Sequence, residues 1–339
     1  MSVAEPIHPS LVTVIVPVRN GRDLVSDLVA RLVGAADELT EVVIVEDHST
    51  DDTWAVLHEA VRGLDQFRVV QNPRSAGVAS ARNYALTLAR GEFVWFADAD
   101  DEWSPEIIHL LRSAAERTGA DVVVCQAQLV GVGRQATVID GLPDERALSR
   151  RDAWIALLGG ELHGYLWSKL FRRQVLLDNL FSLLSSQSDF TGVARAISQS
   201  ETIAFIPDVL YQHVVREGSI TRSRQHRVDN LDVCVAELRA HLVADAPDLV
   251  DSALYASFVT WFVLLPMAET PGRVGAPFGV VVAESRRSRA RLRQLPRSAF
   301  DQLRPSVRRR ALLARTAGPF YSVPRMALQR VAHIKRRRS

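Results

Sequence analysis

Three carboxylates follow an apolar run in the first third of the chain. Residues 93–103 read FVWFADADDEW, so Asp98, Asp100 and Asp101 come directly after five apolar residues. Negative charges crowded at the end of a strand repel one another unless a cation offsets them. Alternate side chains just beyond a strand point to the same side, and paired carboxylates can bind a hard divalent cation. The cluster is therefore the first candidate for a site.

The elements around this cluster alternate between strand and helix. Apolar, β-branched runs predict five strands, at residues 11–18, 41–46, 67–71, 92–97 and 121–130. Apolar residues at helical spacing predict helices between them, with Gly91 closing the third helix and Ser104 capping the fourth. The alternation favours an α/β fold with a mostly parallel, doubly wound sheet and right-handed crossovers.

Mostly polar residues stand at the carboxyl ends of four predicted strands, where such sheets bind ligands. They are Pro17, Arg19 and Asn20 after the first strand, Glu46, Asp47, His48 and Ser49 after the second, Asn72 and Arg74 after the third, and Asp98, Asp100 and Asp101 after the fourth. A purely structural sheet does not need charged residues at so many strand ends. Ionisable groups clustered in this way favour a functional cleft.

The composition is that of an ordinary globular protein. The chain has 339 residues, 47% hydrophobic and 24% charged, enough for one large core or two domains. Two cysteines, Cys125 and Cys234, exclude a disulfide framework and a cysteine metal site. The first ten residues do not resemble a secretion signal, and the longest apolar run, residues 256–268, is too short for a bilayer and ends at a proline. A cytoplasmic location is expected.

The charge is distributed very unevenly. Residues 286–339 hold 17 arginines and lysines against one acid, a formal charge of +16. The other 285 residues hold 24 basic and 38 acidic groups, a formal charge of −14. Basic tails usually meet phosphate in nucleic acid or anionic lipid, although a solvated helical face is the alternative. The last 26 residues interleave aromatic and apolar residues with arginine, which suits an anionic membrane surface; a subunit contact is another alternative.

Four segments resemble, in order and spacing, the nucleotide-sugar domain of family 2 glycosyltransferases: VTVIVPVRNG, VVIVEDHSTDDT, NPRSAGVASARN and GEFVWFADADD. The resemblance covers about a third of the chain. It implies the A-type glycosyltransferase fold, a Rossmann-like mixed sheet, and an inverting transfer from a nucleotide-sugar donor. No G-x-G-x-x-G follows the first strand and no P-loop is present, which argues against a dinucleotide oxidoreductase and an NTPase.

The resemblance also implies a task for the carboxylate cluster. It would hold Mg²⁺ or Mn²⁺, which bridges to the donor diphosphate and stabilises the leaving nucleoside diphosphate. The last Asp of the family motif is the usual direct metal ligand, which implies that role for Asp100. Asp98 would contact the donor ribose or a metal-bound water. Asp101 is interpreted as a helix-start charge beside Ser104.

Further residues are implied in donor binding. Asp47 matches the carboxylate that accepts a hydrogen bond from the nucleobase, although the family commonly reads V-D-D-G-S where this chain has Glu46 and His48 around it. Arg82 resembles the family arginine near the base and phosphates; a surface salt bridge on a helix is the alternative. The full donor-binding set is Pro17, Arg19, Asn20, Asp47, Arg82, Asp98, His213 and Arg216, the last two beside an R-x-G-S-I-T loop that resembles one in the same subgroup.

The acceptor side is implied by two segments of the next hundred residues. GYLWSKLFRR resembles a segment that follows the sheet in the family, and its Trp167 and Phe171 are interpreted as helix core packing. SSQSDFTGVARAI matches a segment in which relatives carry an E-D pair with the general base. Here the pair reads Ser188-Asp189, so Asp189 is the base expected for an inverting transfer. A helix N-cap is its structural alternative.

The sequence thus predicts a catalytic domain over residues 1–223, with a donor half (11–130) and an acceptor half (131–223), and a helical region over 224–339 with its basic tail. The expected partners are a nucleotide-sugar donor and a glycan, polyol-phosphate polymer or lipid-linked acceptor. The sequence leaves open whether the chain forms an oligomer. No nucleic-acid recognition motif is present, so nucleic acid is not expected. The alternative to an active transferase is a catalytically decayed nucleotide-sugar or glycan-binding module.

Overall fold

The computed structural model describes residues 8–74, 76–131, 135–176, 180–214 and 228–323. The chain divides into two compact units, residues 1–157 with 161–216, and residues 158–160 with 217–339. The boundary expected between residues 223 and 224 lies in a segment outside the described residues, as does Arg216.

The described strands of the first unit form one ten-stranded sheet. They are β1 (His8–Val18), β2 (Thr40–Glu46), β3 (Phe67–Gln71), β4 (Gly91–Phe96), β5 (Glu102–Trp103), β6 (Val122–Val130), β7 (Thr137–Asp140), β8 (Arg146–Ser149), β9 (Lys169–Arg172) and β10 (Thr202–Val214). The main order is β3-β2-β1-β4-β9-β6-β10-β5, with β7 paired to β6 and β8 to β10. β1 runs parallel to β2 and β4, whereas β9 lies antiparallel between β4 and β6. The mixed, mostly parallel sheet confirms the predicted fold class.

Helices pack their apolar sides onto this sheet. They are α1 (Val25–Ala35), α2 (Thr53–Ala60), α3 (Val78–Leu88), α4 (Ile107–Thr118), α5 (Arg150–Gly159) and α6 (Ser188–Gln199). Leu28 and Leu32 of α1 and Ile108 and Leu111 of α4 are buried in one core cluster with strand residues such as Trp95. The helical spacing of these apolar residues explains the packing, because it places them on one face.

Two local predictions were wrong. Gly91 does not close α3 but begins β4, where a Cβ atom would lie 2.5 Å from the carbonyl oxygen of Leu11. The KLFR residues form β9 rather than a helix, because this segment fills the place between β4 and β6. The strand after α6, β10, is long, and its register against β6 shifts twice between Phe205 and Tyr211.

The second unit is helical, as expected for residues 224–339. Its described helices are α7 (Val228–Asp245), α8 (Pro247–Val250), α9 (Ala253–Val259), α10 (Leu265–Arg273), α11 (Phe278–Gln294), α12 (Arg297–Asp301) and α13 (Pro305–Ala317). A π-helical turn, Thr260–Leu264, joins α9 to α10.

One helical stretch is longer than the apolar run suggested. It continues for 21 residues from Ala253 to Arg273, through Pro266, so the expectation that it ends at a proline is wrong. Its length and mean hydropathy of 1.3 would suffice to cross a membrane. Core helices of water-soluble proteins meet the same criteria. In this helix, 44% of the most apolar 18-residue stretch is buried inside the protein. Length and composition are therefore weak evidence for a membrane span.

The basic region is not a loose tail over its described part. Arg287 and Arg291 of α11 form ion pairs with Asp232 of α7, at 2.5 and 2.6 Å. Arg310 of α13 pairs with Glu269 of α10, and the Ser285 and Ser322 hydroxyls lie 2.9 Å apart. Residues 286–323 are thus built into the helical unit through its own acidic groups.

Candidate active site

The loops after β1 and β2 are joined to each other at the carboxyl ends of the strands. The backbone N–H of Asn20 donates to the Ser49 hydroxyl at 2.8 Å, and the Asn20 side chain accepts from the Thr50 N–H at 2.8 Å. Asn20 has a φ of 49°, a left-handed conformation that asparagine tolerates better than most residues. Pro17, half-buried, holds the end of β1 in register with Val45.

Asp47 lies buried beside these loops. Its carboxylate accepts a hydrogen bond of 2.7 Å from the Asn72 side chain and lies 3.6 Å from the guanidinium of the exposed Arg19. The next residue, His48, has a φ of 55°, and its Nε2 lies 2.7 Å from the carbonyl oxygen of Asn72. The backbone here therefore adopts the left-handed turn that favours glycine, the family's residue at this position, and the His48 contact to Asn72, just after β3, helps to hold it.

Arg82 joins two candidate residues that are far apart in the sequence. Its guanidinium is 2.7 Å from Asp98 Oδ1 and 2.5 Å from Asp189 Oδ1. The Arg82 side chain is only 3% exposed, whereas both carboxylates are 29% exposed. The alternative of a surface salt bridge on a helix is therefore wrong. α3, the β4 end and the start of α6 meet at this one side chain.

The surrounding charges are unbalanced. Burial, together with repulsion from Asp189, Asp101 and Asp100, raises the pKa of Asp98 to about 6, although the Arg82 charge acts to lower it. Against the desolvation of its own burial, Asp189 and Asp98 raise the pKa of Arg82. The site therefore holds more negative charge than Arg82 offsets, and a bound cation would relieve the excess.

Asp101 is not a helix-start charge. It is fully buried, and its carboxylate accepts hydrogen bonds from the Tyr211 hydroxyl at 2.9 Å and the Val214 N–H at 2.9 Å. His213 Nδ1 lies 3.1 Å from both of its oxygens, and this hydrogen bond raises the pKa of His213. Asp101 thus fixes the end of β10, and with it His213, against the carboxylate cluster. The sequence alone does not reveal this role of Asp101, because its partners lie about 110 positions away.

A match to a protein-family model shows which enzyme family the chain belongs to. The model of glycosyl transferase family 2 matches residues 13–179, which contain the second half of β1 and all of β2 to β9, together with Asp47, Arg82, Asp98 and Asp100. The chain is a family 2 glycosyltransferase. Its resemblance in the four sequence segments is thereby confirmed.

Curated relatives of this glycosyltransferase point the same way. The Bacillus subtilis glycosyltransferase EpsH is 25% identical over 242 residues, 68% of each chain. The succinoglycan biosynthesis protein ExoU of Rhizobium meliloti is 29% identical over 66% of this chain and 67% of its own. The Escherichia coli UDP-Glc:α-D-GlcNAc-diphosphoundecaprenol β-1,3-glucosyltransferase WfaP is 33% identical over 27% of this chain and 36% of its own. Among these names, ExoU refers to succinoglycan biosynthesis and WfaP to glucose transfer from UDP-Glc to a diphosphoundecaprenol-linked GlcNAc.

Solved structures share the fold. Residues 1–349 of S. aureus TarS, in complex with UDP-GlcNAc, align over 96% of this chain and 92% of that one, with a TM-score of 0.67 and 20% identity. The Pyrobaculum calidifontis mannosyltransferase PcManGT, in complex with GDP-Man and Mn²⁺, aligns over 95% and 86%, with a TM-score of 0.52 and 18% identity. At these identities the likeness confirms the A-type fold alone.

A stack of aromatic rings packs against His213. Tyr165, Trp167 and Tyr211 lie in nearly parallel planes with centroids 4.6 Å apart at each step, and His213 also stacks on Trp167. Trp167 is 3% exposed, so its interpretation as core packing is confirmed, although it precedes a strand rather than lying in a helix. The stacking on Trp167 and the hydrogen bond to Asp101 both restrain the His213 ring.

Arg31 of α1 is a second residue that the sequence did not single out. Its guanidinium donates to the backbone carbonyl of Ala99 at 3.0 Å and lies 5.2 Å from the centre of the Trp103 ring. It thereby holds the peptide between Asp98 and Asp100. No local pattern marks Arg31, because its partner is 68 positions away.

The carboxylate oxygens of Asp98 and Asp100 are suitable ligands for a divalent cation. The described residues hold no group of three or more His, Cys, Asp or Glu side chains arranged around a metal position. Mg²⁺ and similar ions are commonly held by one or two carboxylates together with substrate phosphates and water. Two adjacent strand-end carboxylates with surplus negative charge match that pattern, and Asp100 is half-buried in the same loop.

Proposed function

We propose that this glycosyltransferase moves a sugar, with inversion, from a nucleoside-diphosphate donor to a hydroxyl group of a glycan, wall-polymer or lipid-linked acceptor. The observation that carries the proposal is the Arg82 bridge between Asp98 and Asp189. It brings a carboxylate of the D-x-D motif to the candidate base, which is the proximity that a single transfer step requires. WfaP, named for a UDP-Glc donor and a diphosphoundecaprenol acceptor, and the UDP-GlcNAc complex of TarS support this choice of substrates.

Donor binding is proposed at the ends of β1, β2 and β3. The nucleobase of the donor would contact Asp47, which already contacts Asn72 and Arg19. Asn20 and Pro17 shape the neighbouring loop after β1. Arg82 and His213 are proposed to offset charge near the diphosphate, and so is Arg216, which lies outside the described residues. The divalent metal, Mg²⁺ or Mn²⁺, would be held by Asp100 and Asp98 and would stabilise the leaving diphosphate as a Lewis acid.

Asp189 is proposed as the general base. It is the second residue of α6, and Arg82 and Ser188 both contact its Oδ1, so we assign the acceptor proton to Oδ2. The acceptor oxygen then bonds to the anomeric carbon while the bond from that carbon to the diphosphate oxygen breaks. The bond electrons leave with the nucleoside diphosphate, and the proton stays on Asp189.

Turnover and donor binding, measured separately, test the proposal. Asp189→Asn should bind donor almost normally but lose about 10²–10⁴-fold in transfer or donor hydrolysis, because a positioned base contributes that much. Asp100→Asn should lose the metal-dependent part of donor binding, measured as the rise in melting temperature with nucleotide sugar in the presence of Mn²⁺. Asp144→Asn, an exposed carboxylate paired with Arg146, is the matched control and should change neither.

The outcomes separate the alternatives. Donor binding without any turnover in the parent protein would favour a decayed binding module, the alternative that Ser188 in place of the family acid suggests. Full turnover by Asp189→Asn would place the base elsewhere. Unchanged metal dependence in Asp100→Asn would remove that residue from the metal site.

A peripheral position at an anionic membrane is also proposed, because lipid-linked acceptors are found there. The formal charge of +16 on residues 286–339 favours that surface electrostatically.

A further inference from the structure

The C-terminal unit exposes apolar side chains where its charge is most positive. Leu312 and Leu313 of α13 are 40% and 54% exposed, and Phe320, beyond the end of that helix, is 85% exposed. The opposite face of α13 is fixed in the unit, with Ala311 and Ala314 buried. The three exposed side chains, named here the apolar ridge, lie within nine residues of the chain. Three bulky apolar side chains exposed within so short a stretch are unusual for a surface that faces water alone.

The sequence on both sides of the ridge is rich in arginine and has no acidic residue after Asp301. Residues 302–339 hold 11 arginines and lysines and no aspartate or glutamate. Arg308 pairs with Asp301 at 2.8 Å and Arg310 pairs with Glu269. Arg304 and Arg309 are exposed, and no carboxylate of the described residues forms an ion pair with either. Arg309 precedes Leu312 and Leu313 by three and four positions, so it shares their side of the helix.

We propose that the apolar ridge enters the headgroup and acyl boundary of an anionic lipid membrane, with Arg304 and Arg309 at the phosphates. Exposed leucine on α13, exposed phenylalanine shortly after it and arginine without an ion pair match the chemistry of an interfacial anchor. An acidic protein would complement the charge, but it would not require three exposed bulky apolar side chains. This proposal deepens the membrane position proposed above and assigns it to particular side chains.

The experiment is sedimentation of the full chain with vesicles of phosphatidylcholine alone or with phosphatidylglycerol. The test variant is Leu312→Ser/Leu313→Ser/Phe320→Ser, all at exposed positions, so folding should be preserved. The matched control is Val233→Ser/Val243→Ser, two valines of α7 that are 41% and 55% exposed. We expect the parent and the control to bind the anionic vesicles and the ridge variant to bind at least about tenfold more weakly.

Binding by the parent should fall with added salt, because the arginines contribute through screened electrostatics. Equal binding by the ridge variant and the parent would overturn the proposal, and salt-resistant binding of that kind would favour the stretch Ala253–Arg273 as the membrane contact. A parent that ignores vesicles but is dimeric, with a monomeric ridge variant, would make the face a protein interface. No vesicle binding and a lower melting temperature of the ridge variant would show that the chain covers its own ridge.

Donor hydrolysis in solution, measured on the same variants, separates this proposal from the enzymatic one. The ridge variant should keep the parent's turnover with a soluble donor, because its substituted residues lie outside the proposed active site. Loss of membrane binding with intact hydrolysis would therefore support the ridge without depending on Asp189 or the metal. Absent hydrolysis in every protein would refute the proposed transfer and leave the vesicle result interpretable.

Discussion

Arg82 is the residue on which the proposed chemistry depends most, because its guanidinium holds two carboxylates with different proposed tasks. Removing it would leave Asp98 and Asp189 facing each other in a largely buried place, and breaking a buried pair costs about 3–5 kcal/mol. Lysine would keep the charge. A single ammonium group, however, cannot reproduce the planar fork that reaches both partners at once.

We predict that Arg82→Lys folds but loses at least about tenfold in kcat, while its affinity for a nucleoside diphosphate changes much less. Misplacing Asp189 affects the transfer step more than it affects donor binding. Arg62→Lys is the control, since Arg62 is 75% exposed and pairs with the nearby Glu59 on the surface. Measurements of kcat and of nucleoside-diphosphate affinity on the same variants test this prediction. Equal losses in both would indicate that Arg82 acts mainly by binding the donor and not by positioning Asp189.

At the scale of elements, the start of α6 is held by a close approach of the segment before β9. A Cβ atom on Gly164 would lie 2.8 Å from the Cα of Phe190, the residue next to Asp189. Gly192, one turn further along α6, would likewise clash with the Phe181 ring at 2.5 Å. These two glycines allow α6 to pack closely enough for Asp189 to reach Arg82.

We predict that Gly164→Ala displaces the start of α6 and lowers kcat by about tenfold or more, with a stability loss of about 1–3 kcal/mol from overpacking. Gly34→Ala is the matched control, because a Cβ atom on Gly34 in α1 meets nothing within 4 Å. That control should leave turnover unchanged and stabilise the helix by a few tenths of a kcal/mol to about 1 kcal/mol. Urea unfolding and donor turnover of both variants provide the measurements, and normal turnover in Gly164→Ala would show that α6 tolerates the shift.

At the scale of the molecule, buried ion pairs join elements that are distant in sequence. Lys169 at the start of β9 and Asp140 at the end of β7 are both about 1% exposed or less, and Ser168 also donates to Asp140 at 2.5 Å. Burial alone would raise the pKa of Asp140, but the charge of Lys169 and the contact with His163 lower it to about 2. The Arg112 guanidinium likewise lowers the pKa of Asp37 to about 2.

We predict that Asp140→Asn lowers the free energy of unfolding by about 2–4 kcal/mol at pH 7, because it leaves the Lys169 charge buried without its partner. The pKa of Asp140 in the folded state lies below its unfolded value, so its charge stabilises the fold above about pH 4. That contribution is lost as the pH falls towards about 2. The difference between parent and variant should therefore shrink in acid.

Urea unfolding at neutral and acidic pH measures this change. Asp37→Asn is the comparison, and its effect should be smaller, because Asp37 is 37% exposed and solvent screens its pair with Arg112. A constant difference between Asp140→Asn and the parent across the pH range would show that the Asp140 charge contributes nothing to stability.

The sequence by itself determined the parts of this protein that local physics encodes. β-branched runs such as residues 41–46 and the polar residues after them follow from strand propensity and from the need to end a buried strand, so the fold class and the D-x-D loop were readable. The family resemblance lies in these same segments. Asp47, Asp98 and Asp100 were found there because each stands directly after a recognisable strand.

Only the tertiary structure decided which side chains meet. Arg82 and Asp189 are 107 positions apart, and Asp101 and His213 are 112 apart, so no local pattern records either contact. The same holds for β9, a short segment whose strand conformation comes from the place between β4 and β6 that it fills. Propensity acts over a few residues, whereas burial and charge pairing act through space, and the geometry of the site depends on the latter.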